Sequence, residues 1–206
     1  METWEINGYT LEYIEESHIY LADGIIVPSI TQAMKVKFGK KYEGIDNATL
    51  QNAANKGTEM HEAIQRYCEN GEESEMKEVR NFKFLQKQYK FEVLKNEQPV
   101  ILFDGNEPIL AGRLDMVIKM PITADRGNSY KEVIGLADLK RTSTLDKDYL
   151  AYQLNLYRIA YQQCYGEEIE VLRGIHLRED TRKFVTIPIN EEKAWELVRE
   201  FQRGEE

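Results

Sequence analysis

From Trp4 to Ile26 apolar and polar residues alternate, and the alternation breaks at Asn7-Gly8 and Asp23-Gly24. A period of two interrupted by such pairs predicts two β-hairpins, because Asn-Gly and Asp-Gly accept the left-handed backbone of a two-residue turn. Pro28-Ser29 then opens a helix over Ile30–Phe38, with Ser29 as its N-cap. A longer helix is predicted from about Thr49 to Asn70, stopped by Gly71, and another from about Ser74 to Lys95. After Glu97 the pattern returns to strands: Pro99–Phe103, Ile109–Met120 and Glu132–Arg141, the first two joined by an Asp104-Gly105-Asn106 turn. Ile122–Tyr130 reads as a polar connection. Asp146–Tyr165 is predicted as a helix stopped by Gly166, and Glu170–Leu177 with Arg182–Ile189 as a hairpin across Arg178–Thr181. A last helix follows Asn190 as N-cap, carrying Ala194, Trp195, Leu197, Val198 and Phe201. This order predicts one domain of α/β or α+β class around a mixed sheet.

Composition narrows the function classes. With 206 residues, 42% hydrophobic and 31% charged, the chain can bury roughly 70% of its unfolded surface and needs no disulfide or metal to fold. A formal charge of −9 argues against a passive nucleic-acid coat, although a small basic cleft remains compatible with it, since steering depends on the local field. The two cysteines, Cys68 and Cys164, are too few for a disulfide framework or a cysteine-ligated zinc or iron–sulfur site. The N-terminus lacks a secretory signal pattern, and no apolar run approaches the ~18 residues that span a bilayer. The chain reads as cytosolic.

The segment with most chemistry is Gly112-Arg-Leu-Asp115 followed by Ala137-Asp138-Leu139-Lys140. In a strand Asp138 and Lys140 share a face, roughly 7 Å apart, while Leu139 faces the other side. If the two predicted strands pair, Asp115 converges with them. Two carboxylates can hold a hard divalent cation, and an adjacent ammonium can orient a water for attack. Taken alone, an Asp-x-Lys on a strand is equally an edge charge pair.

In their order along the chain, Gly112-x-x-Asp115, Asp138-x-Lys140 and Gln153-Leu-Asn-Leu-Tyr157 resemble the motifs of the PD-(D/E)XK nuclease superfamily. Gly57-Thr-Glu-Met-His61 is similar to the early histidine motif of its RecB-like exonuclease branch, in the phage and bacterial stand-alone form, and Val27–Gln32 resembles the helix start of such members. The resemblance implies a restriction-endonuclease-like α/β core, a central mixed sheet flanked by helices, with N-terminal β-hairpins. It implies one nuclease domain over 1–206, with hairpins and helix in 1–48 and the core in 49–206. It also implies that His61, Asp115, Asp138 and the Leu139 carbonyl ligate Mg²⁺ or Mn²⁺, with Glu97 assisting a second metal. Lys140 would position the water, and Gln153 and Tyr157 would lie near the substrate. The iron–sulfur nucleases of CRISPR adaptation carry four cysteines, which this chain lacks.

Each residue has a plainer reading too. His61 shares a helix face with Ile64 and Cys68 and is compatible with a packed core histidine. Gln153 and Tyr157 are compatible with a cross-helix hydrogen bond and a packed aromatic, and Glu97 with a solvated carboxylate. Two basic clusters bear on substrate: Lys35, Lys37, Lys40 and Lys41 near the end of the Ile30–Phe38 helix, and Lys77, Arg80, Lys83, Lys87 and Lys90 along the next-but-one helix. Lys35, Lys37, Lys40, Arg113, Arg141 and Thr142 are the candidate DNA contacts, a solvated face being the alternative for the helical stripe.

The expectation is a divalent-metal-dependent deoxyribonuclease, an exonuclease of recombination or repair. It would work in the cytoplasm of a bacterial or phage-infected cell, beside a recombination or single-strand-binding protein or as an oligomer. The alternatives are a non-catalytic DNA- or protein-binding module on the same fold, or a nuclease acting on RNA. The presence of Asp115, Asp138 and Lys140 together favours the enzyme.

Overall fold

The computed structural model describes residues 1–124 and 129–205. Residues 125–128, inside the expected polar connection over Ile122–Tyr130, and residue 206 lie outside the described residues.

The alternating N-terminal stretch forms a four-stranded antiparallel meander of β1 (Glu2–Ile6), β2 (Tyr9–Ile14), β3 (Ile19–Ala22) and β4 (Ile25–Val27). Asn7 and Gly8 have φ of 52° and 84°, and Asp23 and Gly24 have 49° and 78°; this is the doubly left-handed turn that suits tight hairpins. α1 (Ile30–Phe38) starts with a capping box, in which Ser29 Oγ accepts the Gln32 N–H at 3.0 Å and Gln32 Oε1 accepts the Ser29 N–H at 2.6 Å. α2 (Asn47–Asn70) begins two residues before the expected Thr49, because the Asp46 carboxylate accepts the Thr49 N–H at 2.9 Å and caps it. Gly71 ends α2 with φ 70°.

α3 (Lys77–Tyr89) corrects the expectation of a helix from Ser74 to Lys95. Lys90 takes the left-handed conformation, φ 55°, and Phe91 turns inward to pack its ring on Phe82 and Phe184 at 5.6 and 5.2 Å between centroids. Burial of that ring turns the chain into β5 (Glu92–Asp104), which therefore starts well before Pro99. β6 (Glu107–Ala124), β7 (Ser129–Lys140), α4 (Lys147–Tyr165), β8 (Val171–Arg178), β9 (Thr181–Ile187) and α5 (Glu191–Glu205) follow.

The second sheet has the order β5-β6-β7-β8-β9. β7 and β8 run parallel, joined through α4, and the other neighbours are antiparallel, so the sheet is mixed and the chain is α/β. α1, α4 and α5 cover one face, their apolar side chains meeting Val117, Leu136 and Leu172. α2 and α3 cover the other, meeting Met116, Ala137, Leu139 and Ile175. The N-terminal sheet packs Leu11, Tyr20 and Val27 on Ile101, Phe103 and Ala111 of β5 and β6. Among the described residues no helix is long and apolar enough to cross a membrane.

Candidate metal centre

The site lies where two strands part. The β6–β7 ladder runs from Ala124↔Ser129 to Met116↔Ala137. Beyond Met116, β6 continues beside β5 alone, while β7 continues beside β8 as far as Lys140↔His176. A parting ladder leaves backbone donors without partners, and such groups must find others. Here Asp115 Oδ2 takes the Leu139 N–H at 2.7 Å, so a side chain completes the ladder and its carboxylate is fixed in the gap. Glu97 lies between the pairs Asn96↔Met116 and Gln98↔Leu114, opposite Asp115. Its φ is 46°, a left-handed backbone that costs a non-glycine residue about 1–3 kcal/mol and tends to be kept where function needs it.

α2 supplies the third group. Met60, Ala63 and Ile64 bury its apolar face against the sheet, which brings His61 over the gap. His61 Nδ1 is 3.8 Å from Asp115 Oδ2 and 3.9 Å from Glu97 Oε1, and the three side chains offer ligand atoms all within 4.8 Å of one another. On the opposite side of the ring, Nε2 donates to the Leu139 carbonyl at 3.2 Å. That bond leaves Nδ1 aimed at the carboxylates, as a backbone carbonyl does behind a metal-ligating histidine. Burial alone would lower the His61 pKa, but the charge of Asp115 and the contact with Glu97 outweigh it and push it up to about 9.

Asp138 and Lys140 stand beside this group on the α4 side of the sheet. Asp138 is 2% exposed. Lys140 Nζ lies 2.6 Å from Asp138 Oδ2, so the buried carboxylate is held in an ion pair with the lysine. Burial raises the Asp138 pKa to about 6, against the pull of Lys140 and with the push of Asp115. Burial lowers that of Lys140, but Asp138 and Asp115 more than offset it and the ammonium is held charged.

Gln153 and Tyr157 are both buried on α4. Gln153 Oε1 has no hydrogen-bond partner. The Tyr157 hydroxyl is pushed well above its ordinary pKa by burial and by Asp115 and other acidic groups nearby. Its ring explains Gly112, since a Cβ there would meet Tyr157 Cε1 at 3.0 Å and Oη at 3.3 Å. The Gly-x-x-Asp spacing thus places a backbone thin enough for Tyr157 three residues before a carboxylate.

The structure therefore brings together His61, Glu97 and Asp115, with Asp138, Lys140 and Tyr157 adjacent. The Leu139 carbonyl lies behind His61 as its hydrogen-bond acceptor, outside the group of three. Several candidate DNA contacts have other partners. Arg113 Nε lies 2.9 Å from Glu97 Oε2, and its Nη1 donates to both Glu2 carboxylate oxygens at 3.0 Å. Arg141 is half-buried and pairs with the buried Glu78 of α3 at 2.8 Å. Thr142 Oγ1 donates to the Thr144 carbonyl at 2.7 Å, and Lys37 sits 5.0 Å over the Tyr152 ring. Lys35 and Lys40 remain exposed. In the α3 stripe, Lys77 pairs with Glu179 at 3.5 Å and Lys83 with Glu73 at 2.5 Å.

Two features have no signature in the sequence. The Glu2–Arg113–Glu97 chain joins residues 111 positions apart, a pairing only the docking of the N-terminal sheet creates. His176 is buried opposite Lys140 and donates from Nε2 to the Thr142 carbonyl at 2.7 Å, anchoring the loop after the lysine.

No family model matches the sequence, and no curated protein matches it. Among solved structures, the crystal structure of SSO0001 is similar, at 14% identity over 86% of this chain and 75% of that one, with a TM-score of 0.46.

Proposed function

We propose that the chain is a divalent-metal-dependent nuclease of PD-(D/E)XK type and RecB-like form that hydrolyses DNA phosphodiester bonds from an end, with Mg²⁺ or Mn²⁺ as cofactor. In this reading the α/β architecture is a restriction-endonuclease-like core in a single nuclease domain, serving recombination or repair in the cytoplasm. The observation that carries it is the meeting of His61, Glu97 and Asp115 within 4.8 Å, at a strand parting that also holds the Asp138–Lys140 contact.

The donor set suits such an ion: carboxylate oxygens fit Mg²⁺ or Mn²⁺, and an imidazole nitrogen makes Mn²⁺ equally acceptable. The Asp138 carboxylate stands beside this set, its Oδ2 held by the Lys140 ammonium at 2.6 Å. A bound ion would supply positive charge at the phosphate and lower the pKa of its water. Asp115 and Glu97 bring the negative charge to the gap, and the Leu139 N–H and Arg113 hold those carboxylates in place. His61 turns Nδ1 inward because Nε2 is bonded to Leu139. Lys140 keeps its proton at Nζ and can direct it to an attacking water or to a phosphate oxygen.

The test incubates the purified protein with end-labelled linear and circular DNA, single- and double-stranded, in Mg²⁺, Mn²⁺ or EDTA. Asp138→Ala and Lys140→Ala run alongside, with circular dichroism to check folding. The expected result is degradation of linear DNA that EDTA and both substitutions abolish. No cleavage by folded wild type with either metal, or full cleavage by either variant, would overturn the reading and favour a binding module or an RNA substrate.

A further inference from the structure

We propose that the cleft between the N-terminal sheet and the start of α1 binds one unpaired nucleotide of the substrate strand, its phosphate held by Lys35 and His18. The acidic cleft on the other side of Glu97 gives that nucleotide no phosphate contact. This rests on the nuclease reading, whose substrate class it names.

Two clefts meet at Glu97 and Arg113. The first, of about 640 Å³, is walled by the carboxylates of Glu2, Glu15, Glu62 and Glu97. Its two potential cations, His61 and Arg113, already face those carboxylates or Asp115. The second, of about 560 Å³, is lined by His18, Tyr20, Ser29, Gln32, Lys35 and Tyr157, with Glu97 as its one carboxylate, paired with Arg113. A polyanion is attracted where the local field is positive, whatever the net charge of the molecule. The two sides of the metal group are therefore not equivalent, and the strand belongs on the α1 side.

The groups on that side are prepared for an anion. Lys35 is exposed and forms no ion pair among the described residues. His18 is exposed at the β2–β3 turn, but its ring is held: the backbone is left-handed, φ 53°, and Tyr13 Oη lies 2.7 Å from Nδ1. That contact occupies Nδ1 and leaves Nε2 without a partner among the described residues. The start of α1 adds the positive end of a nine-residue helix. Independently of these, Tyr157 is 5% exposed and lines the cleft, yet its hydroxyl has no hydrogen-bond partner among the described residues. The cleft is the size of a small-molecule pocket, which suits one nucleotide. A duplex keeps its bases stacked inside and has no single nucleotide to insert; an unpaired strand does.

Fluorescence anisotropy of a 5′-labelled oligothymidine in EDTA tests this without cleavage, with a blunt hairpin duplex as comparison. Lys35→Ala, His18→Asn (asparagine tolerates the left-handed backbone) and, in the acidic cleft, Glu15→Gln are measured with wild type. Wild type is expected to prefer the single strand. Lys35→Ala and His18→Asn should each bind it severalfold more weakly, and Lys35→Ala should lower the slope of log K against log salt by about 0.7, one phosphate contact on a single strand. Glu15→Gln should bind as wild type does. A wild type that cleaves DNA while Lys35→Ala and His18→Asn retain full affinity, or that prefers the duplex, overturns this assignment alone. A wild type that neither binds nor cleaves any DNA overturns the nuclease reading with it.

Discussion

Asp115 Oδ2 accepts the Leu139 N–H at 2.7 Å, so the carboxylate that faces His61 also closes the sheet where β6 leaves β7. One residue is thus both a fold element and a charge, and its two roles can be separated. Asp115→Asn keeps a carbonyl oxygen for Leu139 and removes the charge. Metal-dependent cleavage should fall by about 10³-fold, an order typical of a lost electrostatic group in an active site, with the melting temperature little changed. Asp115→Ala should lose activity equally but also cost about 1–3 kcal/mol of stability, because the buried N–H is left unpaired. Cleavage rates with thermal melts of both variants check this.

Gly112 and Gly135 separate packing from function. A Cβ at Gly135 would sit 2.4 Å from Val171 Cγ2 and 2.7 Å from the Val171 carbonyl oxygen, so Gly135→Ala must move backbone between β7 and β8. At Gly112 the obstacle is the Tyr157 ring at 3.0 Å, which can shift. Gly112→Ala should cost about 1–3 kcal/mol and depress activity by displacing Tyr157, whereas Gly135→Ala should destabilise more. Denaturant melts of the two variants test the order, and equal stability losses would contradict it.

Half-buried Arg141 and buried Glu78 form an ion pair at 2.8 Å. Removing one partner leaves the other charge uncompensated, at a cost of about 3–5 kcal/mol. Arg141→Met should therefore destabilise strongly, and Arg141→Met with Glu78→Leu should regain most of the loss. Chemical denaturation of single and double variants measures it. A stable Arg141→Met protein with weakened DNA binding would assign Arg141 to phosphate instead.

The His61 environment makes stability depend on pH in the absence of metal. Its folded pKa of about 9 exceeds the ordinary value of 6.5, so the folded state binds the proton more tightly than the unfolded chain. That contribution is complete below pH 6.5 and is lost as pH rises towards and through 9. In EDTA the wild type should lose stability over this window, and His61→Gln should flatten the decline. Melting temperatures across the range decide it.

Much of this was legible in the chain. Asn7-Gly8, Asp23-Gly24, Ser29 and Gly71 act through local backbone geometry, and each turn or cap forms where the sequence puts it. The helix expected through Lys95 failed because its end is set by Phe91 burying against Phe82 and Phe184, a tertiary contact. Among site residues, His61, Asp115, Asp138 and Lys140 were visible through motif spacing. Glu97 was visible only as an acid before a strand, and its place opposite Asp115 depends on the β5–β6 register. The pairing of Arg113 with Glu2 and Glu97 was not legible, because those partners come from strands that meet it only in the folded chain.

The most direct single measurement is the rate of release of end label from linear single-stranded DNA as Mn²⁺ is titrated, for wild type and folded Asp115→Asn. A saturable dependence on the metal in wild type, absent in the variant, is the expected result. No cleavage at any Mn²⁺ concentration, cleavage that persists in EDTA, or an undiminished rate in Asp115→Asn would contradict the assignment of His61, Glu97 and Asp115 as the metal centre of a nuclease.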